Sequence, residues 1–280
     1  MLGQYLIAFR EVLEAALMTA IILSYMTRSS RRHLSRYVWY GIILAVAASV
    51  SLGAGIWIAF GEIPALYESL FEATAAFVAV AVLSSMIYWM AIKGKTIRQE
   101  IERRVEAMAS RGAIIGLVLL GFVVVFREGF ETVLFLTPFL IADAAATLAG
   151  MLLGILTAVL HSYAIFVVGM RINLRKFFYF TSILLILLAG GLAGYGTHEL
   201  LEYSEGAGVQ LGWVAQPAYS LGIADASPFH DKGVIGSIFA VMFGYTVSAE
   251  WARLIVHVSY LAVVLPLVIW VYRRTRTQNA

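Results

Sequence analysis

Cysteine is absent from the 280-residue chain, and charged side chains make up only 13% of it. Without thiols the chain can form no disulfide, iron–sulfur cluster or c-type haem attachment, so any metal ligands must be oxygen or imidazole groups. Hydrophobic residues make up 61% of the chain, and the mean hydropathy is +0.86. This composition is typical of a polytopic membrane protein and excludes an ordinary soluble domain.

Hydrophobic runs predict an all-α polytopic membrane protein with seven transmembrane helices. The predicted spans cover residues 4–27, 37–60, 70–92, 113–141, 147–170, 177–201 and 251–272. Residues 233–243 are too short to cross a bilayer and predict a re-entrant or partial element, and Pro266 predicts a kink. The first run has no basic leader and carries charged residues, so we interpret it as a retained span and not a signal peptide.

The basic residues predict the orientation of the chain in the cytoplasmic membrane. Most lysines and arginines lie in segments 28–36, 93–111, 171–176 and 273–276, which share one side if there are seven spans. The positive-inside rule then predicts an N-terminus outside and a C-terminus in the cytoplasm. The basic residues are explained by these loops, so we expect the lipid bilayer as a partner and no nucleic acid.

A charged motif appears twice inside hydrophobic runs. Both copies have the form Phe-Arg-Glu-x-x-Glu, beginning at Phe9 and at Phe126. A charge near mid-membrane costs roughly 2.5–3.5 kcal/mol on insertion scales, so three in one span indicate a function. The spacing places both glutamates of each copy on one helix face, with the arginine four residues before the second glutamate. The charged residues are Arg10, Glu11 and Glu14 in the first copy, and Arg127, Glu128 and Glu131 in the second.

The two copies run in the same chain direction but enter the membrane from opposite sides. We therefore predict an inverted repeat of residues 4–92 and 113–201 within one transmembrane domain covering 1–280. A cytoplasmic linker at 93–112 would join the repeats, and its mixed charges predict a solvated amphipathic helix. Residues 202–232 would form an extracytoplasmic loop. Small-x-x-x-small pairs such as Gly150/Gly154 and Gly190/Gly194 favour close helix packing.

Four glutamates against two arginines leave an excess of negative charge that needs a cation or protons. Carboxylates of this kind suit iron, manganese, magnesium or calcium. A salt-bridge clamp between the repeats and a proton relay are the alternatives. A membrane di-metal oxidase would need histidines one turn from the glutamates, and neither motif has one. Transport is therefore favoured over catalysis, whether of iron, of another divalent cation or of a cation in exchange with protons.

Further polar residues lie near the outer ends of the third and sixth spans. They could form an acidic vestibule through which cations enter, or could simply be solvated at the interface. These residues are Glu68, Glu72, His198, Glu199 and Glu202. His161 is predicted to be buried and bonded to a neighbouring helix. His230-Asp231 is interpreted as ordinary loop polarity, and Met86 with Met90 as packing.

The doubled Arg-Glu-x-x-Glu motif resembles that of the high-affinity iron permeases of fungi and the bacterial EfeU transporters. Further likenesses are Phe71-Glu72, the Met86…Trp89-Met90 segment, His198-Glu199, and Gly244-Tyr245 before Glu250. The resemblance implies seven spans and iron import, with Glu11, Glu14, Glu128 and Glu131 as iron ligands.

It also implies iron as transported substrate, no bound organic cofactor and no enzymatic activity. Arg10 and Arg127 would support the glutamates. An extracytoplasmic oxidase or iron-binding protein is the partner that the resemblance suggests. A homo-oligomer and the oxidation state of the iron stay open at this point.

Overall fold

A computed structural model describes residues 1–60, 65–93, 97–110, 113–166, 174–224, 226–231 and 233–277. Residues 61–64, both ends of the predicted linker (94–96 and 111–112), and residues 167–173, which include the end of the predicted fifth span, lie outside the described residues. So do Asp225 and Lys232 of the predicted extracytoplasmic loop.

The described chain is predominantly helical, which confirms the all-α class. The helices are α1 (Leu2–Arg28), α2 (Ser35–Phe60), α3 (Ala65–Lys93), α4 (Ile97–Ser110), α5 (Ile114–Ala142), α6 (Ala144–Phe166), α7 (Leu174–Gly206), α8 (Val234–Phe243) and α9 (Trp251–Thr277). Two short strands, β1 (Pro217–Ser220) and β2 (Ser248–Glu250), pair antiparallel. The sequence analysis did not predict this ribbon, because strands of three or four residues in a polar segment leave no readable alternation.

Within the described residues, five segments are long and apolar enough to cross a membrane by length and composition. They are Arg32–Ala59, Tyr67–Ile92, Ala144–Ile165, Tyr179–Gly206 and Trp251–Arg274. Helices α1 and α5, with 27 and 29 residues, are as long as these segments, but each carries the three charges of one motif copy. Apolar side chains such as Ile43, Val50 and Leu156 are exposed on the helix surfaces, as lipid-facing residues are. The chain is a multi-pass membrane protein.

The helices fall into two compact units. The first contains α1, α2, α4, α5 and α6, within Gly3–Phe60 and Lys93–Asn173. The second contains α3, α7, α8, α9 and the ribbon, within Gly61–Ile92 and Leu174–Ala280.

Helices α2 and α5 of the first unit run parallel with their backbones in close approach. A Cβ atom added at Gly41 would lie 2.7 Å from the backbone nitrogen of Phe122. One added at Gly121 would lie 3.1 Å from the Val38 side chain. Further along, Gly129 lies against Ser49. Glycine is needed at these positions because no side chain fits between the helices.

Helix α6 packs on α1 in a similar way. A Cβ atom at Gly154 would lie 2.6 Å from the carbonyl oxygen of Tyr5 and 2.9 Å from the nitrogen of Phe9. Gly150 approaches the backbone of α1 one turn earlier. The Gly150/Gly154 pair therefore lies at a helix crossing, as its spacing predicts.

Helix α4 is amphipathic as predicted, but it is not simply solvated. Its Ile101 and Val105 are buried in a cluster with Met18, Ile22 and Met26 of α1. The apolar face of α4 is thus covered by the motif-bearing helix.

Polar contacts fix the edge of the same helix. Arg28 donates to Glu102 at 2.8 Å, and Arg31 and Tyr25 both donate to Glu106 at 2.9 Å. The prediction of a solvated linker was wrong on this point, because charge spacing alone does not show what an apolar stripe packs against.

In the second unit, α7 runs antiparallel to α9. Gly190 packs against Leu261 and Gly194 against Arg253, while the hydroxyls of Ser182 and Tyr272 lie 3.2 Å apart. Helix α3 joins the same unit through Ser84, whose hydroxyl lies 2.8 Å from that of Tyr260.

Helix α8 has ten residues, which span about 15 Å, half the thickness of a bilayer core. It ends at Gly244, where φ is +65°, a left-handed conformation that favours glycine. Gly244 packs against Gly191 of α7. The chain then reaches β2, where Glu250 contacts His198, further along α7. Thr246, in the segment after α8, donates to Asp231 Oδ2, shortly before α8, at 3.1 Å, so the chain returns after α8 toward the residues that precede it.

Candidate metal centre

The first motif copy forms a buried ion-pair cluster on α1. Arg10 Nη1 lies 2.5 Å from Glu11 Oε1, and Arg10 Nη2 lies 2.6 Å from Glu14 Oε1. The Arg10 side chain is only 2% exposed. The predicted Arg10–Glu14 pair is confirmed, and the same guanidinium also holds Glu11, which i,i+4 spacing alone does not indicate.

The second copy, on α5, uses its arginine differently. Arg127 Nε donates to Glu131 Oε1 at 2.9 Å and lies 3.7 Å from Glu128 Oε1. The Arg127 side chain is 37% exposed, in contrast to that of Arg10. The two copies are therefore alike in sequence but unequal in burial.

Three glutamates of the two copies converge. One carboxylate oxygen from each of Glu11, Glu128 and Glu131 lies within 4.8 Å of the other two. These residues are 0%, 3% and 7% exposed. Ligands about 2.1 Å from one ion lie no more than about 4.2 Å apart, so small side-chain movements would close this group around a metal. Glu14 is equally buried but lies against Arg10, outside the converging three.

Three carboxylate oxygens in this group have no internal partner. Within the described part of the chain, no hydrogen-bond donor reaches the buried Oε2 atoms of Glu11, Glu128 and Glu131. A buried acceptor without a donor costs about 1–3 kcal/mol, and more when it is charged. A cation between the carboxylates would remove that cost.

Helix α2 packs against the second motif copy through Ser49. Ser49 is buried, donates to its own helix at Ala45 O with a distance of 2.9 Å, and packs against Gly129 inside the motif. The sequence analysis did not identify Ser49. The only indication in the sequence was a serine midway through an apolar span. Because its hydroxyl is already bonded to the backbone of its own helix, Ser49 acts as a packing residue.

A second group of candidate ligands lies in the other unit. His198, Glu199 and Glu202 each offer one ligand atom within 4.8 Å of the others. His198 Nδ1 also lies 3.0 Å from Glu250 Oε1. In the sequence, Glu250 was noted only because it follows Gly244-Tyr245. Nothing in the order of the chain indicates that it lies at the end of α7.

The remaining predicted vestibule residues lie close to this group but are not among its three converging ligands. Glu72 is buried and accepts a hydrogen bond from Tyr195. Glu68 is exposed in the first turn of α3. Tyr195 also donates to Glu199, so Glu72 and the three-residue group share a hydrogen-bond donor, and Glu68 lies near enough to Glu72 to interact with it electrostatically.

Other single residues correct the sequence analysis. His161 is exposed, and its Nδ1 lies 2.9 Å from the carbonyl of Thr157 in its own helix, so the prediction of a buried histidine bonded to a neighbouring helix was wrong. The imidazole ring contacts the ring of Phe9 edge-on, so His161 lies on the side of α1. His230 is buried and lies 2.8 Å from Asp231.

Comparisons with known proteins show the family of the chain. The model of the iron permease FTR1 family matches residues 1–270. The chain is 45% identical over 268 residues to an uncharacterized protein of Archaeoglobus fulgidus, covering 96% of this chain and 94% of that one. It is 32% identical over 260 residues to the ferrous iron permease EfeU of Yersinia pestis, covering 92% of this chain and 89% of the relative.

The ferrous iron permease EfeU of Escherichia coli is 37% identical over 192 residues, covering 68% of this chain and 70% of the relative. No solved structure matches the chain. The match to the family model covers nearly the whole chain and includes both motif copies. The chain belongs to the iron permease FTR1 family.

Proposed function

We propose that this protein imports iron across the cytoplasmic membrane through a site formed by Glu11, Glu128 and Glu131, with Glu14 completing the ligand set. The observation that carries the proposal is the convergence of three buried carboxylates from the two long helices α1 and α5. Hard and borderline cations take oxygen ligands of this kind.

The arginines prepare the site for an ion. Arg10 holds one oxygen each of Glu11 and Glu14, and Arg127 holds one oxygen of Glu131. The guanidiniums stabilise the ionised carboxylates while the site is empty, because adjacent positive charge favours the charged form. The oxygens without a donor remain available to the substrate.

The same geometry argues against a salt-bridge clamp. A clamp would place its carboxylate oxygens on the arginines, whereas the Oε2 atoms of Glu11, Glu128 and Glu131 lack donors within the described residues. It also argues against a di-metal oxidase, since neither Arg-Glu-x-x-Glu copy carries a histidine one turn away.

The inverted repeat is part of the proposal, and matched contacts in the first unit support it. Arg10 and Arg127 occupy corresponding positions in the two motif copies. The same shift in residue number carries the α1 residues beside Gly150 onto the α5 residues beside Gly41. The neighbours are Met1 and Tyr5 for Gly150, and Val118 and Phe122 for Gly41. The pair α6–α1 therefore repeats the pair α2–α5.

A second contact follows the same relation. Gly121 of α5 packs on Val38 of α2, and the residues in corresponding positions are Gln4 of α1 and Thr147 of α6. Gln4 Nε2 donates to Thr147 Oγ1 at 3.4 Å. A shared two-helix contact, and not only a shared motif, thus supports the repeats 4–92 and 113–201.

The antiparallel crossing of α1 and α5 supports inversion. Met18 and Met26, which follow the first motif, share a core with Leu117 and Leu120, which precede the second. The motifs meet at the crossing, as expected when two repeats enter from opposite sides.

We further propose seven spans, α1–α3, α5–α7 and α9, with α8 re-entrant. The contact of Thr246, after α8, with Asp231, before α8, supports this reading, because the chain returns beside the residues from which α8 starts. The positive-inside rule then gives an N-terminus outside and a C-terminus in the cytoplasm.

Uptake of radiolabelled iron by cells expressing Glu128→Gln tests the proposal. We expect uptake to fall to the background of cells without the protein, while membrane insertion is retained, because a neutral side chain is easier to insert. Glu100→Gln is the control, since Glu100 is exposed on α4 and pairs with Arg104 of its own helix at 2.6 Å. Normal uptake by Glu128→Gln at normal protein levels would remove the motif from the pathway.

A further inference from the structure

We infer that His198, Glu199 and Glu202 form a second metal site, which binds a divalent transition-metal ion through one imidazole and two carboxylates. The inference rests on the proposed function: before transport, this second site would hold iron on the extracytoplasmic side of the membrane. Its three ligand atoms lie within 4.8 Å of one another.

The helix itself positions two of the ligands. Glu199 and Glu202 stand three residues apart on α7, so their side chains share one face. His198 is adjacent in sequence, and its side chain is 37% exposed, whereas Glu199 is buried. The group thus has one ligand anchored in the protein and one open toward its surroundings, as a site that loads and releases an ion requires.

Glu250 gives the imidazole its orientation. Glu250 Oε1 lies 3.0 Å from His198 Nδ1, so a protonated Nδ1 donates to the carboxylate and leaves Nε2 as the metal ligand. This is the carboxylate–histidine–metal arrangement in which an outer carboxylate fixes the tautomer of a ligating histidine.

The ribbon brings Glu250 to its position. Glu250 is the last residue of β2, and it pairs with Pro217 of β1. Its Oε2 is buried and has no hydrogen-bond partner among the described residues. A carboxylate with one buried, unpaired oxygen is costly to hold beside a histidine unless its charge is used.

The ligand chemistry differs from that of the motif site. The motif site offers only carboxylate oxygens, which also suit Mg²⁺ and Ca²⁺, whereas imidazole favours first-row transition metals. We therefore expect the second site to prefer Fe²⁺ and Mn²⁺ over Ca²⁺ and Mg²⁺, which are far more abundant outside cells.

The test uses Mn²⁺ as a paramagnetic probe of the purified full-length protein. Wild type is expected to bind two Mn²⁺ ions, and pulsed electron paramagnetic resonance is expected to show ¹⁴N coupling from one imidazole. His198→Ala should lose the ¹⁴N coupling and one bound ion. His161→Ala is the matched control, because His161 is an exposed helix histidine in the other unit, and it should change neither.

Motif variants separate this inference from the proposed function. Protein carrying Glu11→Gln, Glu128→Gln and Glu131→Gln should still bind one Mn²⁺ with ¹⁴N coupling, whether or not iron uptake is lost. Glu202→Gln provides a milder second variant, expected to weaken Mn²⁺ binding at least tenfold with the protein still monodisperse. Wild-type protein without ¹⁴N coupling, or coupling that persists in His198→Ala, would overturn the inference.

Discussion

The close approach of α2 and α5 makes a sharp prediction about Gly41. A Cβ atom at this position would lie 2.7 Å from the backbone nitrogen of Phe122, nearer than non-bonded atoms tolerate. The obstructing atoms are backbone, which cannot rotate away as a side-chain end could. Gly41→Ala must therefore push α5 outward, and with it the segment that carries Glu128 and Glu131.

The magnitude follows from two opposing effects. Replacing glycine by alanine inside a helix favours folding by about 1 kcal/mol. Overpacking a close contact costs typically about 1–3 kcal/mol, and backbone contacts lie at the upper end. We expect Gly41→Ala to lower the free energy of unfolding by about 1–2 kcal/mol. Gly55→Ala, in the same helix but with nothing within 4 Å of an added Cβ, should raise it by up to about 1 kcal/mol.

Reversible unfolding in mixed micelles measures both variants against wild type. Gly154→Ala provides a test of the α6–α1 pair, since its Cβ would lie 2.6 Å from Tyr5 O, and it should destabilise the protein as Gly41→Ala does. Equal stabilities of Gly41→Ala and Gly55→Ala would refute the close packing of α2 on α5, and with it the support for the motif that this packing provides.

Two further predictions concern the arginines and the topology. Arg10→Lys should reduce iron uptake more than Arg127→Lys, because lysine cannot bridge Glu11 and Glu14 as the buried fork does; one lost charge-assisted bond of about 1.5–3 kcal/mol predicts roughly a 10- to 100-fold effect. Uptake rates at equal protein levels measure this, and a larger defect in Arg127→Lys would contradict the assigned arginine roles. An impermeant maleimide should label Ala207→Cys but not Arg276→Cys in intact cells, a clean assay because the chain has no cysteine. The reverse pattern would invert the proposed orientation.

Sequence reasoning predicted the helical class and the motif residues because both depend on local patterns. Long apolar runs identify spans, and three charges inside such a run are costly enough to be informative. The pairing of Arg10 with Glu14 follows from helical spacing alone and is present in the structure.

Contacts between distant segments could not be predicted in this way. No local pattern shows that Glu11 joins Glu128 and Glu131 while Glu14 stays outside this group. Nor does any pattern bring Glu250 to His198, because a ribbon of two short strands makes that contact.

The buried face of α4 and the exposed ring of His161 were missed for a related reason. A polar helix with an apolar stripe looks the same in sequence whether the stripe meets another helix or not. Likewise, a histidine in an apolar span can satisfy Nδ1 on its own helix, as His161 does at Thr157, without any burial.

The most direct test of the central claim is to locate iron by anomalous scattering in crystals of the protein soaked with iron under anaerobic conditions. We expect an anomalous peak among the carboxylates of Glu11, Glu128 and Glu131, at about 2.0–2.2 Å from one oxygen of each. In crystals of Glu128→Gln the peak should be lost from this position. A fully soaked wild-type crystal with no iron between these three residues would refute the proposed carboxylate site.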